Sequence, residues 1–494
     1  MRSPVRTWSS APNSRQSRFP PGERLSSFIT FASHHSPPII RPNGHRLALY
    51  LLLAAGLLLW TINLLFARPL FIDEANVARN LFDRDFAGLF VPLDHDQYAP
   101  PLYLVVTKLC GELLGYGEIP LRLPAFLGGL LAVGGIWASG RRLLSGYWAL
   151  LPLALLFVNP TVLRYVGEVK PYGLDLGVAA ILLALHLRPR RQKLWAWAVG
   201  GALIPWISLP GVFVLAAIGL WRLRQDIRWM LPIGGWLLSF GVLYYFVLGA
   251  SVGSGYLNDF HADYFLPIPT DWNEVEQLGR ILRRLLRLGF GFTVVALIWG
   301  ATLMLYGALK LPTKQLWLLL PLGVAMAVSV FRVYSLIDRL MLFALPGLWL
   351  FAALSARGLY HAVRALRLPL LILTALTLGG TNIYRQFYAP GTYGDGRRLA
   401  EIALRYDDPV LHPDAVPVVD YYTRIHLRTK HLADESQITN ESVRVYDVTT
   451  RRSTRQAIRR DSSGAAERGC EVVQEELFRA VVLRIRCPAR NYDR

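Results

Sequence analysis

The chain has 494 residues, 53% of them hydrophobic, with 14 tryptophans and only 18% charged positions. That is more apolar surface than one water-soluble core can bury, which excludes an ordinary soluble domain and indicates a polytopic membrane protein. The formal net charge is +19, but the arginines sit mostly in short segments between apolar runs, as the positive-inside rule expects, so no nucleic-acid partner is predicted.

Residues 1–46 are rich in Ser, Pro and Arg, with Glu23 as their one acid. Such a segment buries too little surface to offset chain entropy, and it reads as a disordered basic cytoplasmic arm without a cleavable signal peptide. Leu47–Phe66 follows as about 20 nearly unbroken apolar residues, long enough to cross a bilayer. Arg41 and Arg46 behind it orient it from inside to outside, which places the next residues, Phe71-Ile72-Asp73-Glu74-Ala75, on the outer face.

Further spans are predicted at Leu121–Ser139, Tyr147–Leu163, Tyr172–Leu187, Leu194–Ile207, Leu209–Leu220, Leu231–Gly249, Gly289–Leu309, Leu316–Phe331, Leu340–Leu354 and Leu368–Tyr384. Hydropathy thus gives about eleven spans. In that topology Arg141 and Arg142, Arg188 to Lys193, Arg222 to Arg228, Lys310 and Lys314, and Arg357 to Arg367 all fall on the inner side. The apolar stretch Pro100–Tyr116 is left out, because counting it would invert everything after it; it reads as an interfacial or re-entrant helix started by Pro100 and Pro101. The outer loops are then 67–120 and 250–288. The second ends in an amphipathic basic helix capped at Asp271 and Glu274, carrying Arg280, Arg283, Arg284 and Arg287.

After Tyr384 hydrophobicity falls. Arg397–Tyr406 reads as a helix and Val416–Tyr422, Ser442–Val448 and Ala480–Cys487 as short strands, so residues 385–494 form a small extracytoplasmic α/β domain following a transmembrane domain over 47–384. Of the three cysteines none forms a C-x-x-C pair; Cys470 and Cys487 either join in an oxidising compartment or stay as two thiols.

Ionisable groups avoid hydrocarbon, so their gathering at one level is informative. Asp73 and Glu74 are adjacent and must point in different directions, which suits one as a base and the other as a brace. Asp73 equally fits a helix N-cap ahead of Glu74-Ala75-Asn76-Val77-Ala78-Arg79, and the two roles are compatible. Arg164-Tyr165-Val166-Gly167-Glu168-Val169-Lys170-Pro171-Tyr172 reads as a break at the water interface, since Pro171 disfavours helix at Lys170; an ordinary loop with a snorkelling cation is the plainer account. Asp338-Arg339 returns a cation to the same level, or forms a surface ion pair. No cofactor is required. Asp94, His95 and Asp96 with Asp73 have donor atoms suited to a divalent cation, approached by His261 and Asp263, though a solvated loop explains them as well.

Taken together, Ile72-Asp73-Glu74-Ala75, Gln97-Tyr98-Ala99-Pro100-Pro101-Leu102-Tyr103, Leu121-Arg122-Leu123-Pro124, Tyr165 with Glu168-Val169-Lys170-Pro171-Tyr172, and Arg339-Leu340-Met341-Leu342-Phe343-Ala344-Leu345-Pro346 form an ordered set over roughly residues 47–350. The set resembles the dolichyl-phosphate-mannose protein mannosyltransferase family, in its bacterial glycosyltransferase family 39-like branch with the GT-C fold. The resemblance implies an all-α polytopic membrane enzyme that takes a sugar from a polyprenyl-phosphate donor in the outer leaflet and transfers it, with inversion, to a glycan, lipid or protein acceptor. It implies Asp73 as general base and a bacterial plasma membrane as setting. Phosphate is a good leaving group whose developing charge needs cations, a need that Lys170, Arg339 and Arg164 can meet. Glu168 would orient Lys170 or a sugar hydroxyl, and Gln97, Tyr98 and Tyr172 would line the sugar or acceptor pocket. The basic arm and the tail after Tyr384 lie outside the family's pattern. A transporter or flippase of lipid-linked sugars is the rival from another class, but such proteins carry internal repeats and mid-membrane polar sites, and neither is evident here.

Overall fold

A computed structural model describes residues 42–188, 192–249, 260–291, 293–363, 365, 367–377, 394–406, 409–429, 441–447 and 452–487. The expected basic arm lies outside these residues, save for Pro42–Arg46, which already belong to the first helix, α1 (Pro42–Leu65). The next helices in the chain are α2 (Ile72–Asp83), α3 (Pro101–Leu114), α4 (Glu118–Leu143), α5 (Leu151–Val158), α6 (Pro160–Tyr165), α7 (Tyr172–His186), α8 (Leu194–Ile207), α9 (Gly211–Leu223) and α10 (Met230–Leu243). Beyond them come α11 (Trp272–Phe290), α12 (Val294–Lys310), α13 (Leu320–Val330), α14 (Leu345–Ala362) and α15 (Arg367–Thr377).

Five helical stretches are long and apolar enough to cross a membrane: Gly44–Leu65, Glu118–Leu143, Ile227–Leu248, Thr313–Val330 and Asp338–Ala362. A sixth is gained if α11 and α12 count as one bent span. Large apolar side chains such as Leu47, Leu51, Leu58, Leu131, Leu237 and Leu309 stand exposed on these helices, which makes lipid their solvent and the chain an integral membrane protein. The expected eleven spans are not all of spanning length. Four apolar helices, Gly146–Val158, Tyr172–His186, Leu194–Ile207 and Gly211–Leu223, have 10–17 residues, so each rises less than the ~30 Å of a hydrocarbon core. Hydropathy registers their composition but not the breaks that shorten them. One such break is Asn159, whose side chain accepts from the Thr161 and Val162 amides and so starts α6 where a single span was expected.

α14 is the buried axis of the bundle, with Leu345 through Ala356 enclosed by the helices around it. α4 and α7 meet backbone to backbone. A Cβ at Gly128 would stand 2.4 Å from the Leu174 Cα, and one at Gly177 would stand 2.2 Å from the Gly128 carbonyl oxygen. This small-residue seam lets the two helices close up, and it brings the start of α7 against the start of α4. α3 starts at Pro101 as expected; it buries Tyr103, Leu104, Thr107 and Lys108 and leaves Val106, Leu109, Leu113 and Leu114 exposed.

The C-terminal segment adds α16 (Gly396–Ala403), β1 (Val410–Leu411), α17 (Val416–Thr429), β2 (Glu441–Asp447), α18 (Arg452–Glu467), β3 (Glu471–Leu477) and β4 (Ala480–Arg486). The strands form one sheet in the order β1-β2-β4-β3, parallel between β1 and β2 and antiparallel elsewhere. The expected strand at Val416–Tyr422 is helical. Its β-branched start favours a strand, but Ala415, Val418, Val419, Tyr421 and Tyr422 are buried together, which is the period of a helix. α17 packs on α2, and α16 on α17: the Tyr422 hydroxyl accepts from the Leu70 amide at 2.8 Å and donates to Glu118 at 2.7 Å, while Asp420 pairs with Arg79 at 2.6 Å.

Cys470 and Cys487 are joined, tying the start of β3 to the end of β4. Cys487→Ser is expected to cost this segment about 2–4 kcal/mol, seen as faster cleavage of β3 and β4 by protease under native conditions. Unchanged resistance would show that the sheet holds without the bond.

Candidate active site

Helical geometry separates the two adjacent carboxylates. α2 begins at Ile72 with Phe71 at its N-cap, so Asp73 and Glu74 are its second and third residues, and Asp73 is not the cap. Successive residues of a helix diverge by about 100°. Glu74 consequently turns inward and is fully buried, whereas the Asp73 side chain stays 34% exposed.

Glu74 holds three segments together. Its carboxylate accepts Nε and Nη2 of Arg122, both at 3.0 Å, the amide of Phe71 at 3.0 Å and the amide of Val169 at 2.7 Å. Arg122 also donates from Nη1 to the Arg68 carbonyl at 2.7 Å. One buried fork-to-fork pair thus joins α2, α4 and the turn that carries Lys170.

That turn runs from Val166 to Pro171, between α6 and α7, where Pro171 was expected to stop a helix. Three polar side chains occupy it or flank it. Glu168 is buried and accepts from Arg164 Nε at 2.6 Å; burial pushes its carboxyl up, with Arg164 opposing. Lys170 is buried too, and its Nζ donates to Gln97 Oε1 at 2.6 Å. Burial pushes the Lys170 ammonium down, and the nearby Asp73 carboxylate offsets part of this.

Asp73 accepts from Arg339 Nη1 at 2.9 Å, across 266 residues of chain. Burial pushes its carboxyl up, but Lys170 and Arg339 together hold it below the usual carboxylate range. Arg339 therefore does not form the local surface pair with Asp338 that its position in the sequence allows. Phe260 lies 5.7 Å from the Arg339 guanidinium, and burial with Arg339 pushes the His261 imidazole down to about 4. Tyr172, at the start of α7, packs edge-on to Tyr165 at 5.0 Å and acts electrostatically on Asp73 and Arg339. Asp73, Arg339, Lys170, Gln97, Glu168, Arg164, Tyr172 and His261 thus form one connected polar cluster.

Other expected residues stand apart. Asp94 pairs with Arg84 at 2.8 Å, and His95 and Asp96 occupy a left-handed turn at φ 64° and 53°. Among the described residues no group of three or more His, Cys, Asp or Glu is placed to hold a metal ion, and the Arg84 pair braces the loop. The Tyr98 ring packs beside Trp206, Leu209 and Phe240 on the cluster around Leu243, with its hydroxyl enclosed. Arg122 had no role in the sequence reading. Its signal was present, since a charge enclosed in an apolar helix must have a partner.

Fold and site together define a helical integral membrane protein with a cluster of ionisable side chains at the end of its bundle where α1 gives way to α2. No protein-family model matches the chain, and no curated protein matches it. Two crystal structures are similar to it: ArnT from Cupriavidus metallidurans in the apo state, and the same protein bound to undecaprenyl phosphate. Each is 17% identical, covers 88% of this chain and 97% of its own, and superposes with a TM-score of 0.48.

Proposed function

We propose that the chain is an inverting glycosyltransferase of the GT-C type, moving a sugar from a polyprenyl-phosphate donor to an acceptor at the outer face of the membrane. The observation that carries the reading is a half-exposed carboxylate, Asp73, held ionised between two cations, Lys170 and Arg339. A base and the charges for a phosphate leaving group then share one cluster. Asp73 takes the proton of the acceptor hydroxyl or amine as its oxygen or nitrogen attacks the anomeric carbon. The bond from that carbon to the phosphate oxygen breaks, and its electron pair leaves with the phosphate, where Lys170, Arg339 and Arg164 stabilise the charge. In this reading the arriving donor phosphate competes with Asp73 for Arg339, and the released carboxylate gains basicity as it loses its partner. The N-terminal arm would be cytoplasmic and the C-terminal segment extracytoplasmic.

The test is transfer of labelled sugar from undecaprenyl-phosphate donors in membranes containing the full chain. Transfer to an acceptor supports the proposal; a lipid-linked sugar that crosses sealed vesicles unchanged, with no transfer, would overturn it in favour of transport. The pH dependence gives a finer check. kcat/KM reports the free enzyme, in which the cations hold Asp73 ionised, so activity is expected to fall only below the usual carboxylate range. In Arg339→Gln one of those cations is gone, and the acidic limb, normalised to its own plateau, should move to higher pH. A limb that stays or moves down would remove Asp73 as the titrating group.

A further inference from the structure

One turn below the cluster, three enclosed polar atoms have no hydrogen-bond partner among the described residues: Asp175 Oδ1 and the hydroxyls of Tyr98 and Tyr103. Asp175 is 2% exposed and Tyr103 is 1% exposed. They belong together, for Asp175 acts electrostatically on both hydroxyls and on Tyr172 and Tyr334, with Ser208 as its own hydrogen-bonding neighbour. A carboxylate enclosed in an apolar helix is costly without a partner, and an orphaned buried acceptor needs one from outside the chain, a water or a ligand group.

The position suggests which ligand. Asp175 lies three residues into α7, in its first turn, which places it about 4.5 Å along the helix axis from Tyr172. The Lys170 turn lies immediately before, and Tyr172 faces both groups, since it senses Asp73 and Arg339 on one side and Asp175 on the other. A phosphate at Lys170 and Arg339 would thus have one carboxylate and two phenols beneath it, each with an unpartnered oxygen. Those groups complement a hydroxyl, which donates to the carboxylate and accepts from a phenol. A cationic ligand is less suited, because Lys170 and Arg339 stand close by.

We propose that Asp175, with Tyr98 and Tyr103, reads a hydroxyl of the donor's sugar ring and sets which sugar the protein accepts. This rests on the glycosyl-transfer reading above. Asp175 takes no part in the bond changes; it is a specificity residue.

The test is displacement of labelled undecaprenyl phosphate from the full chain in detergent by unlabelled undecaprenyl phosphate and by undecaprenyl phosphate carrying glucose, mannose or galactose. For wild type, one epimer should bind roughly tenfold or more tighter than the others, as expected of a site built to hydrogen-bond a hydroxyl. In Asp175→Asn that ratio should collapse while the affinity for bare undecaprenyl phosphate stays within twofold, and Tyr103→Phe, which removes only the hydroxyl, should fall between them. An unchanged ratio in Asp175→Asn would overturn the proposal, as would a proportional loss of bare and sugar-bearing lipid. So would a wild type that binds bare lipid but does not distinguish the epimers. A wild type that binds no undecaprenyl phosphate at all would remove the transferase reading itself.

Discussion

Asp73→Asn is expected to lower sugar transfer by on the order of 10²–10⁴ while leaving undecaprenyl-phosphate binding and protein yield close to wild type. The size follows from the loss of a general base at a step that must deprotonate the acceptor. The retained fold follows from the position of Asp73: its side chain is 34% exposed and pairs with Arg339, itself 23% exposed, so water can solvate the cation that the amide leaves unpaired, and Lys170 keeps its hydrogen bond to Gln97. Freed of Asp73, Arg339 should hold the donor phosphate at least as well as before, so KM for the donor should not rise. Undiminished transfer in Asp73→Asn would end its assignment as base. A fall in transfer matched by lost lipid binding would instead make Asp73 a positioning residue for Arg339. The adjacent Glu74 is no substitute base, because both its oxygens are committed to Arg122 and two backbone amides.

The helical class, the break at Pro171 and the inward and outward division of Asp73 and Glu74 were legible because each is set by neighbours in the chain. Proline restricts the residue before it, and a 100° step separates adjacent helical side chains. What escaped the sequence depends on partners far along the chain. Arg122 finds Glu74 across 48 residues and Arg339 finds Asp73 across 266, and no local pattern encodes either pairing. Among the described residues five or six of the eleven expected spans are helices of spanning length, because hydropathy scores composition whereas crossing needs unbroken rise, and the helices at Tyr172–His186 and Gly211–Leu223 are shorter than that. α17 was misread because Val416, Val418 and Val419 favour a strand locally, while the packing of Tyr421 and Tyr422 on α2 selects the helix. Gln97 and Tyr98 were expected to line the sugar pocket together; successive residues of an extended segment point apart, so Gln97 reaches Lys170 while the Tyr98 ring packs on the Leu243 cluster.

The largest effect on stability is expected at the Glu74–Arg122 pair. Removing either partner, as Glu74→Leu or Arg122→Leu, leaves a buried charge unpaired at about 3–5 kcal/mol. The double variant Glu74→Leu/Arg122→Leu removes both charges and should recover much of this, because an enclosed ion pair replaced by apolar groups is often close to neutral. Recovery cannot be complete: the Phe71 and Val169 amides lose their acceptor in every variant without Glu74, at about 1–3 kcal/mol for each buried group. The order of heat resistance in detergent, followed by aggregation, should therefore be wild type and Asp73→Asn together, then the double variant, then the single variants. Single variants that withstand heat as wild type does would show that the pair does not hold the fold, and a double variant weaker than both singles would show that the two residues act separately. Transfer should be lost even in the fraction of the double variant that stays folded. Val169 precedes Lys170 and Phe71 lies two residues before Asp73, so the same carboxylate that steadies α2 also fixes the distance between the proposed base and the cation that receives the phosphate.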